Sequence, residues 1–312
     1  MDKTTSKPAH KSGYVTIIGR PNVGKSTLTY AIIGQKIAIT SDKPQTTRNR
    51  ILTILTEPDA QIVLLDTPGV HKPISKLGEY MAKAVESTLN EVDAIIFVVD
   101  ATEKTGGGER YIIERLKKAQ APVILAINKI DLIPTPGELL PIMETYSRLY
   151  DFASIVPISA ACESNLRDLL DEVKKLLPEG PQYYPDDMIT DQPERLIAGE
   201  LIREQVLHLT RDEVPHAVAV EVSEMKTRPS GDVFVRATIF VERETQKGII
   251  IGKSGSMLKQ IGAGARHEIE ALLGSKVYLD LWVKVKKDWR NKSGMLKSLG
   301  LTSTDPNAFL EG

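Results

Sequence analysis

The 312-residue sequence has little of several features that define common protein classes. It contains one cysteine, Cys162, which excludes an intramolecular disulfide framework and a multi-cysteine zinc site. No stretch approaches the roughly 20 apolar residues of a membrane span, and the basic start is followed by no apolar signal-peptide core. Its 40 basic and 41 acidic side chains nearly balance, which argues against wholesale coating of nucleic acid. We therefore expect a cytoplasmic protein that touches a membrane surface at most and binds polyanions only locally.

Residues 13–177 alternate short apolar runs with amphipathic segments. The runs YVTIIG, QIVLLD, AIIFVVD, PVILAIN and SIVPIS are predicted to be strands buried on both faces, as in a parallel sheet. Segments with helical spacing separate these runs, and Gly34 is placed to cap the end of the first helix. The alternation predicts a doubly wound α/β domain, in which ligands bind at the carboxyl ends of the strands.

After residue 177 the pattern changes. The stretch 177–193 is rich in proline and has no sustained period, so we predict a semi-rigid linker over residues 178–192. Residues 193–290 then show a helix, two alternating strands, a glycine-rich stretch, a further helix and a third strand, which predicts a smaller α+β domain. Residues 1–12 and 291–312 show little periodicity and are predicted to be mobile tails.

The stretch GRPNVGKS, residues 19–26, matches the phosphate-loop pattern G-x-x-x-x-G-K-[ST]. It follows a predicted strand and begins a predicted helix, so its backbone N–H groups and the positive helix end favour a phosphate. The Lys25 ammonium would reach the β- and γ-phosphates, and the Ser26 hydroxyl would bind Mg²⁺. The residues predicted to contact the nucleotide here are Gly19, Asn22, Val23, Gly24, Lys25, Ser26 and Thr27.

The motif LLDTPG lies at the carboxyl end of another predicted strand. It places the Asp66 carboxylate to hold Mg²⁺ and the Gly69 N–H to donate to a γ-phosphate. Such an aspartate alone could also be a turn residue or a helix cap. The motif therefore supports a nucleotide site only together with the others.

Two further strand ends carry residues suited to a purine base. AINKID places Asn128, Lys129 and Asp131 there, and the Asp131 carboxylate can accept two N–H bonds that guanine offers and adenine does not. The Lys129 stem can cover the ring. ISA adds Ser159 and Ala160, and the Ala160 N–H could meet guanine O6. Four motifs in this order predict a guanine-nucleotide site.

These motifs resemble those of the P-loop GTPases, in the translation-factor-related class. In that class the loop after the first helix carries a threonine that closes on Mg²⁺ and the γ-phosphate. The stretch KPQTTRNR supplies Thr46 and Thr47, and we predict Thr47 for this role. The resemblance thus implies Lys25, Thr47 and Gly69 as the catalytic residues and Ser26, Thr47 and Asp66 as the magnesium ligands.

Two positions need separate interpretation. Val70 stands where signalling GTPases have a glutamine that orients the attacking water, and a valine side chain cannot do this. The domain is therefore either a very slow hydrolase or one that positions water through backbone, neighbouring residues or a partner. Asn22 resembles the asparagine that binds potassium in several relatives, and the alternative is that it only hydrogen-bonds the loop.

The stretch GIIIGKSGSMLKQIG, residues 248–262, repeats the tripeptide Gly-Lys-Ser. Its register argues against a second phosphate loop, because Lys247 stands five positions before Gly252 and no guanine motif follows. What remains is a G-x-x-G turn between predicted helices, where an RNA backbone can approach the glycines and Lys253 can meet a phosphate. The predicted order helix-strand-strand-helix-helix-strand around this turn resembles a type II K-homology (KH) domain.

A basic stretch lies close after this turn. Residues 276–297 hold seven basic side chains against two aspartates, which favours RNA, although lysines that protect a solvated strand edge are an alternative. We predict Trp289 as a base-stacking side chain and Trp282 as a core residue. The predicted RNA-binding residues are Ile251, Gly252, Lys253, Ser254, Gly255, Lys284, Lys286, Lys287, Trp289 and Arg290.

A GTPase domain followed by a type II KH domain resembles the Era family, over about residues 13–292. The resemblance implies an enzyme that uses GTP, GDP and Mg²⁺, with K⁺ as a further ion, and that binds the 3′ end of 16S ribosomal RNA during assembly of the 30S subunit. It also implies peripheral contact with the inner membrane, and we expect a monomer. Three alternatives stay open: a GTPase of RNA modification, a KH protein with an inert nucleotide domain, and an ATPase, which AINKID disfavours.

Overall fold

The computed structural model describes residues 10–41, 43, 46–69 and 75–301. By its internal contacts the chain divides into two compact units. The first unit comprises Met1–Gln35, Arg50–His71 and Val85–Asp191, and the second comprises Lys36–Asn49, Lys72–Ala84 and Gln192–Gly312. Two segments from the N-terminal half of the sequence therefore group with the C-terminal residues.

One mixed sheet forms the centre of the first unit. Its strands in the described residues are β1 (Lys11–Gly19), β2 (Ile51–Thr56), β3 (Ala60–Asp66), β4 (Ala94–Asp100), β5 (Val123–Asn128) and β6 (Ser154–Pro157). The strand order is β2-β3-β1-β4-β5-β6, and β2 runs antiparallel to β3 while the other described neighbours are parallel. β3, β4 and β5 are buried along their whole length, as their continuous apolar runs predict.

Helices cover both faces of this sheet. They are α1 (Lys25–Ile33), α3 (Gly107–Leu116), α4 (Leu139–Ser147), α5 (Leu166–Leu176) and the end of α2 (Lys76–Leu89), of which only the residues from Val85 onward belong to this unit. Successive strand residues point to opposite faces, so Ile17 of β1 joins a core cluster with α1 and α5, whereas Ile18 joins one with α3 and α4. Gly34 caps α1 in the left-handed conformation, with φ of 73°. The predicted doubly wound α/β fold is confirmed.

Two elements of this unit go beyond the sequence prediction. α4 lies in a stretch without a clear helical pattern, and the edge strand β2 makes the sheet mixed rather than wholly parallel. A tight turn joins β2 to β3, in which the Glu57 N–H donates to the Ala60 carbonyl oxygen at 2.8 Å. A turn this short can connect only antiparallel strands, which is why β2 departs from the predicted pattern.

Residues 178–191 of the predicted linker belong to the first unit. Gln61 of β3 accepts the N–H groups of Tyr183 (2.7 Å) and Tyr184 (3.0 Å) on its Oε1 and donates its Nε2 to the Tyr184 carbonyl oxygen at 2.9 Å. The Ile54 N–H donates to the Ile189 carbonyl oxygen at 2.7 Å. The prediction of a semi-rigid spacer is therefore corrected: these backbone groups bond to the first sheet.

The second unit contains the predicted smaller α+β domain. Its elements are α6 (Glu194–Leu209), α7 (Val214–Ala217), β7 (Ala219–Thr227), β8 (Val233–Val241), α8 (Glu244–Ile251), α9 (Ser256–Leu273) and β9 (Val277–Val285). β8 pairs antiparallel with β7 and parallel with β9. α6 packs against β7 and α9, and α9 packs against β9. Apart from the short α7, this is the predicted order of a type II KH domain.

Part of the predicted C-terminal tail is folded. Residues Ser293–Ser298 form α10, and Leu296 and Leu301 are buried in a cluster with Leu77, Phe240 and Trp289. The tail prediction is therefore wrong for residues 291–301, because two leucines with little periodicity around them still cover an apolar surface. At the other end β1 begins at Lys11, inside the predicted N-terminal tail. Residues 1–9 and 302–312 lie outside the described part of the chain.

Candidate functional sites

The phosphate-loop sequence lies between the end of β1 and the start of α1. Gly24 has φ of 98°, a left-handed conformation that favours glycine, and a β-carbon there would collide with the Asn128 amide. A β-carbon on Gly19 would collide with the Val98 carbonyl oxygen. Both glycines thus let the loop close against β4 and β5. Val23 is buried beneath the loop, whereas Asn22 is exposed with φ of 68°.

Lys25, the first residue of α1, lies buried across its own loop. Its Nζ donates to the carbonyl oxygens of Gly19 (3.1 Å) and Arg20 (2.8 Å). Burial lowers the pKa of Lys25 to about 8, and the Asp66 carboxylate offsets part of that effect. A buried ammonium that is held only by carbonyl oxygens and a nearby carboxylate gains from an added phosphate. The geometry therefore fits an anionic ligand.

The Ser26 hydroxyl and the Asp66 carboxylate, both predicted magnesium ligands, lie side by side. The Ser26 hydroxyl on α1 donates to Asp66 Oδ2 at the end of β3, at 3.3 Å, and Asp66 is fully buried. Mg²⁺ prefers such hard oxygens, which it takes together with phosphate oxygens. Within the described residues no group of three His, Cys, Asp or Glu side chains could hold a metal ion by itself. The pair thus fits a magnesium ion that arrives with a nucleotide, and Thr27 follows it on α1, half-buried.

The remaining predicted catalytic residues are divided between the units. Gly69 belongs to the first unit, where a β-carbon on it would stand 3.1 Å from the Pro21 backbone nitrogen, so a side chain at this position would crowd the phosphate loop. Thr47 belongs to the second unit, and its side chain is buried there. Val70, for which the sequence predicts no water-orienting role, lies outside the described residues.

Asn128 connects the phosphate loop to the predicted base-recognition loop. Its Nδ2 donates to the Val23 carbonyl oxygen at 2.8 Å, and its Oδ1 accepts the Ala160 N–H at 2.9 Å. The side chain is buried, so both bonds are made away from water. Asn128 therefore fixes the spacing between the two ends of a nucleotide site.

The neighbouring side chains orient Asp131 and Lys129. The Ser159 hydroxyl donates to Asp131 Oδ1 at 2.5 Å, and Asp131 is exposed, so its carboxylate is accessible to a base. Lys129 has φ of 67°, and its Nζ pairs with Asp100 Oδ2 at 2.5 Å. Burial would raise the pKa of Asp100, but hydrogen bonds from Lys129 and Thr102 outweigh it and hold that pKa below its usual value. The ion pair with Asp100 thus fixes the end of the Lys129 side chain.

Arg20, inside the phosphate loop, is held in a way that the motif does not predict. Its Nη1 donates to Glu103 Oε2 (2.6 Å) and to Glu109 Oε1 (2.7 Å) at the start of α3. Hydrogen bonding to Glu109 raises the Arg20 pKa, against the opposing effect of burial. The loop is thus attached to α3 as well as to β5. An arginine within the loop, together with the acidic residues of GERYIIERL, is the sequence signal that could have suggested this pair.

The second glycine loop lies between α8 and α9. Gly252 and Gly255 have φ of 72° and 80°, and Ser254 between them has φ of 51°. The Gly252 N–H ends α8 by donating to the Gly248 carbonyl oxygen at 2.8 Å. Lys253 and Ser254 are exposed, so the turn presents a lysine and a hydroxyl on a glycine backbone.

The side chains around this loop differ in exposure. Ile249 is 48% exposed and Ile251 is half-buried, whereas Ile250 is fully buried. Lys284, Lys286 and Lys287, at the end of β9 and just after it, are all exposed. The structure therefore provides an apolar edge at the loop and a basic strand end in the same unit.

Two of the predicted RNA-binding residues are engaged within the protein. Trp289 is fully buried, and its Nε1 donates to the Ala217 carbonyl oxygen at 2.7 Å, so its assignment as a stacking residue is wrong. Trp282, predicted as core, is 56% exposed on β9, so that prediction is also wrong. Arg290 pairs with Glu242 through Nε (3.1 Å) and Nη2 (2.6 Å), which leaves it less available to phosphate.

Two models of known protein families match parts of this chain. A family model described as a 50S ribosome-binding GTPase matches residues 14–129, and a KH domain model matches residues 213–290. The first match contains the phosphate loop and Asn128. The second contains the G-x-x-G loop and β9. Both lie within the domains predicted from the sequence.

Solved structures of similar chains cover almost the whole protein. One is Era in complex with Mg-GDPNP and nucleotides 1506–1542 of 16S ribosomal RNA, which is 43% identical, with a TM-score of 0.91. The match covers 94% of this chain and 99% of that chain. Another is a tyrosine-to-alanine variant of Era from Aquifex aeolicus bound to GDP and AlF₄⁻, also 43% identical, with a TM-score of 0.90 and the same coverage.

Proposed function

The chain belongs to the Era family of GTPases, and from this membership and the two loops we propose that it hydrolyses GTP and binds the 3′ region of 16S ribosomal RNA. Within this proposal the RNA is bound through the KH domain, and the protein assists assembly of the 30S subunit. GTP, GDP and Mg²⁺ are the nucleotide ligands and the ion.

The observation that carries the nucleotide part is the position of Asn128. Its two buried hydrogen bonds join the phosphate loop at Val23 to the loop at Ala160. A site for a nucleotide needs phosphate and base contacts at a fixed separation, and this residue provides that separation. Asp131 then accepts the guanine N–H groups, Lys129 covers the ring, and the Ala160 N–H donates to guanine O6.

The phosphate end uses charges that the fold already holds. We assign Lys25 Nζ to leave the carbonyl oxygens of Gly19 and Arg20 and to bind the β- and γ-phosphates. Mg²⁺, held by Ser26, Asp66 and Thr47, would supply neutralisation of the charge on these phosphates. Gly69 donates its N–H to the γ-phosphate. Because valine cannot orient water, position 70 leaves that task to backbone, neighbouring residues or a partner.

The KH part rests on the G-x-x-G loop and its charges. An RNA backbone can approach Gly252 and Gly255 closely, while Lys253 meets a phosphate. Ile249 and Ile251 provide an apolar edge for unstacked bases, and the exposed lysines 284, 286 and 287 supply the salt-dependent part of binding. Trp289 takes no part in stacking, since it is buried.

The two functions are coupled in this proposal. Contacts of the γ-phosphate with Thr47 and Gly69 order the loops that carry these residues, and the ordered form favours RNA. By linkage, RNA must favour the GTP state by the same factor as GTP favours RNA. The protein would thus hold RNA with GTP and release it after hydrolysis.

The base-recognition role is tested with Asp131→Asn. An amide donates where the guanine N–H groups also donate, but it matches the carbonyl group of xanthine, so the preferred substrate should change from GTP to xanthosine triphosphate. Hydrolysis of both nucleotides by the unaltered chain and by the variant measures the preference. A variant that still prefers GTP would refute the assignment of Asp131.

Three finer properties remain proposals. Asn22 binds a potassium ion that stimulates hydrolysis, and equal rates in KCl and NaCl would refute this. The protein is cytoplasmic. It is also a monomer, and light scattering of the full chain tests its oligomeric state. It contacts the inner membrane peripherally, which sedimentation with anionic vesicles tests. Within the part of the chain that the structure describes, no helix has the length and apolar character of a membrane span.

A further inference from the structure

Three charged side chains of the second unit are almost wholly buried at the segment that contains Thr47: Arg48 belongs to this segment, and Arg203 and Glu204 are hydrogen-bonded to it. Arg48 is 3% exposed, Arg203 is 1% exposed and Glu204 is 0% exposed. Burying a charge is unfavourable unless hydrogen bonds and opposite charges compensate it. The groups that compensate these charges therefore matter to the fold. We call the described residues 36–41, 43 and 46–49 the switch segment and the three side chains the clamp.

Glu204 of α6 holds the beginning of the switch segment. Its Oε1 accepts the Thr40 N–H at 2.8 Å and the Thr40 hydroxyl at 3.2 Å, and its Oε2 pairs with Lys36 Nζ at 2.8 Å. Lys36 also pairs with Glu268 of α9 at 3.3 Å. One helical turn further, the His208 ring nitrogen lies 2.9 Å from the Thr40 carbonyl oxygen. The beginning of the segment is thus attached to α6 and, through Lys36, to α9.

The two residues that flank Thr47 are also held. Arg203 donates to the Thr46 carbonyl oxygen and pairs with Glu200 on its own helix. The Arg48 side chain donates to the Val218 carbonyl oxygen at 2.5 Å, and its guanidinium lies 5.5 Å from the centre of the Trp289 ring. Thr47 has little freedom while both neighbours are bound in this way.

We propose that Arg48, Arg203 and Glu204 are the positioning residues through which the nucleotide state reaches the G-x-x-G loop. The inference rests on the proposed function, since it gives Thr47 a nucleotide-dependent position. The switch segment is bound to α6, α6 packs against α9, and α9 begins at Ser256, immediately after Gly255. Movement of Thr46 with Thr47 therefore acts on α6 through Arg203, and so on the helix pair that supports the loop, whereas movement of Arg48 acts on the Val218 backbone just before β7.

Burial makes this connection a switch with two positions. A buried arginine or glutamate that loses its partners is left uncompensated, so partial release is less favourable than either full attachment or full release. Such an element can be biased by ligands at both of its ends, which is the physical requirement for coupling. Exposed ion pairs at the same positions would instead be released gradually, without two distinct states.

The test measures binding of an RNA with the sequence of 16S nucleotides 1506–1542 to the full chain, with GDP and with a non-hydrolysable GTP analogue, both with Mg²⁺. The variants are Arg48→Met and Glu204→Gln. Burial and then the charge of Arg203 lower the pKa of Arg48 to about 9, and Met is an apolar side chain of similar length that buries no charge there. Arg195→Met is the matched control, because Arg195 is exposed and lies on α6, the helix that carries Glu204.

We expect the unaltered chain to bind RNA at least about fivefold more tightly with the GTP analogue, and both clamp variants to bring this ratio within about twofold of 1. GDP-state RNA affinity should stay close to that of the control, whereas thermal stability should fall because a buried interaction is lost. A merely structural role would weaken RNA binding by the same factor in both nucleotide states and leave the ratio unchanged. If either clamp variant folds and keeps the ratio of RNA affinity with the GTP analogue to that with GDP, the inference is overturned. It is also overturned if Arg195→Met lowers this ratio as much as the clamp variants do. If Arg48→Met does not fold, Glu204→Gln decides alone. A ratio of 1 in the unaltered chain overturns the proposed coupling itself.

Discussion

The chain uses the tripeptide Gly-Lys-Ser twice, at residues 24–26 and 252–254, in two different surroundings. In the first unit the lysine is buried, donates to two carbonyl oxygens of its own loop, and has its pKa lowered to about 8 by burial. In the second unit Lys253 is exposed to solvent. The first loop buries its lysine, whereas the second presents its lysine to solvent.

The spacing of the glycines explains this difference. Gly19 and Gly24 allow a loop that wraps a helix end and is fixed by Asn128, so it encloses a small ligand with concentrated negative charge. Gly252 and Gly255 are three residues apart and make a tight turn between two helices, which suits the continuous backbone of a polymer. A shared tripeptide therefore does not imply a shared ligand.

Replacing Lys25 and Lys253 by methionine, each in a separate variant, should give the largest difference between the two loops. Lys25→Met should lose at least about 100-fold in GTP hydrolysis, because charge on the γ-phosphate is no longer compensated. Lys253→Met should keep the hydrolysis rate and weaken RNA binding by only a few-fold, since it removes one phosphate contact. Single-turnover hydrolysis and RNA titration with GDP measure both. Loss of hydrolysis in Lys253→Met would show that the two loops are not separate in function.

A charge placed in the second loop should have the next largest effect. Gly255 has φ of 80°, and nothing stands within 4 Å of a β-carbon there, so Asp and Asn, which tolerate this conformation, test charge rather than space. Gly255→Asp should weaken RNA binding about 10- to 100-fold through repulsion, and Gly255→Asn only a few-fold. Gly252 is less suitable, because a β-carbon there would stand 2.7 Å from the Met257 β-carbon. Equal losses in the two Gly255 variants would assign the effect to shape.

The smallest expected effect concerns the salt dependence of the two sites. Replacing Lys284, Lys286 and Lys287 together by glutamine should reduce the slope of log K for RNA against log salt by about 2, at roughly 0.7 for each phosphate contact. GTP hydrolysis should not change. Titrations between low and physiological salt provide the slope. An unchanged slope would mean that these lysines only protect a strand edge.

Much of the fold could be predicted because its signals are local. The runs around Phe97 and Leu125 are apolar without interruption, and the run around Ile17 contains a single threonine, since both faces of their strands are covered. The glycines of both loops are visible as motifs. β2 was missed because a threonine stands at every third position of ILTILT, which shortens its apolar runs to two residues, and because its direction depends on the short turn before Ala60.

The two tryptophans could not be assigned from their neighbours in the sequence. Trp289 stands among charged residues, yet it is buried by Ala217, Arg48 and Leu296, which are remote in sequence or belong to the predicted tail. Trp282 lies in a strand with many apolar residues. Val277 and every second residue after it lie on one face of β9, and Trp282 lies on the opposite face. Burial of a large side chain is decided by tertiary contacts.

The clamp was missed for the same reason. Arg203 and Glu204 interrupt the apolar spacing of LIREQVL, and a charged pair among the apolar residues of a predicted helix is a signal that buried partners exist. The sequence does not show that those partners are Thr40 and Thr46, about 160 residues earlier. The linker is a similar case, because a single glutamine, Gln61, holds its tyrosines.

A crosslinking map tests most directly whether the two glycine loops take different ligands. The full chain would be bound to a photoreactive RNA with the sequence of 16S nucleotides 1506–1542 in the presence of a GTP analogue and Mg²⁺, and crosslinked peptides would be identified by mass spectrometry. We predict crosslinks within residues 248–262 and 284–287 and none within residues 19–26. RNA crosslinks to residues 19–26 that persist when the GTP analogue saturates the protein, with none at 248–262, would contradict the account.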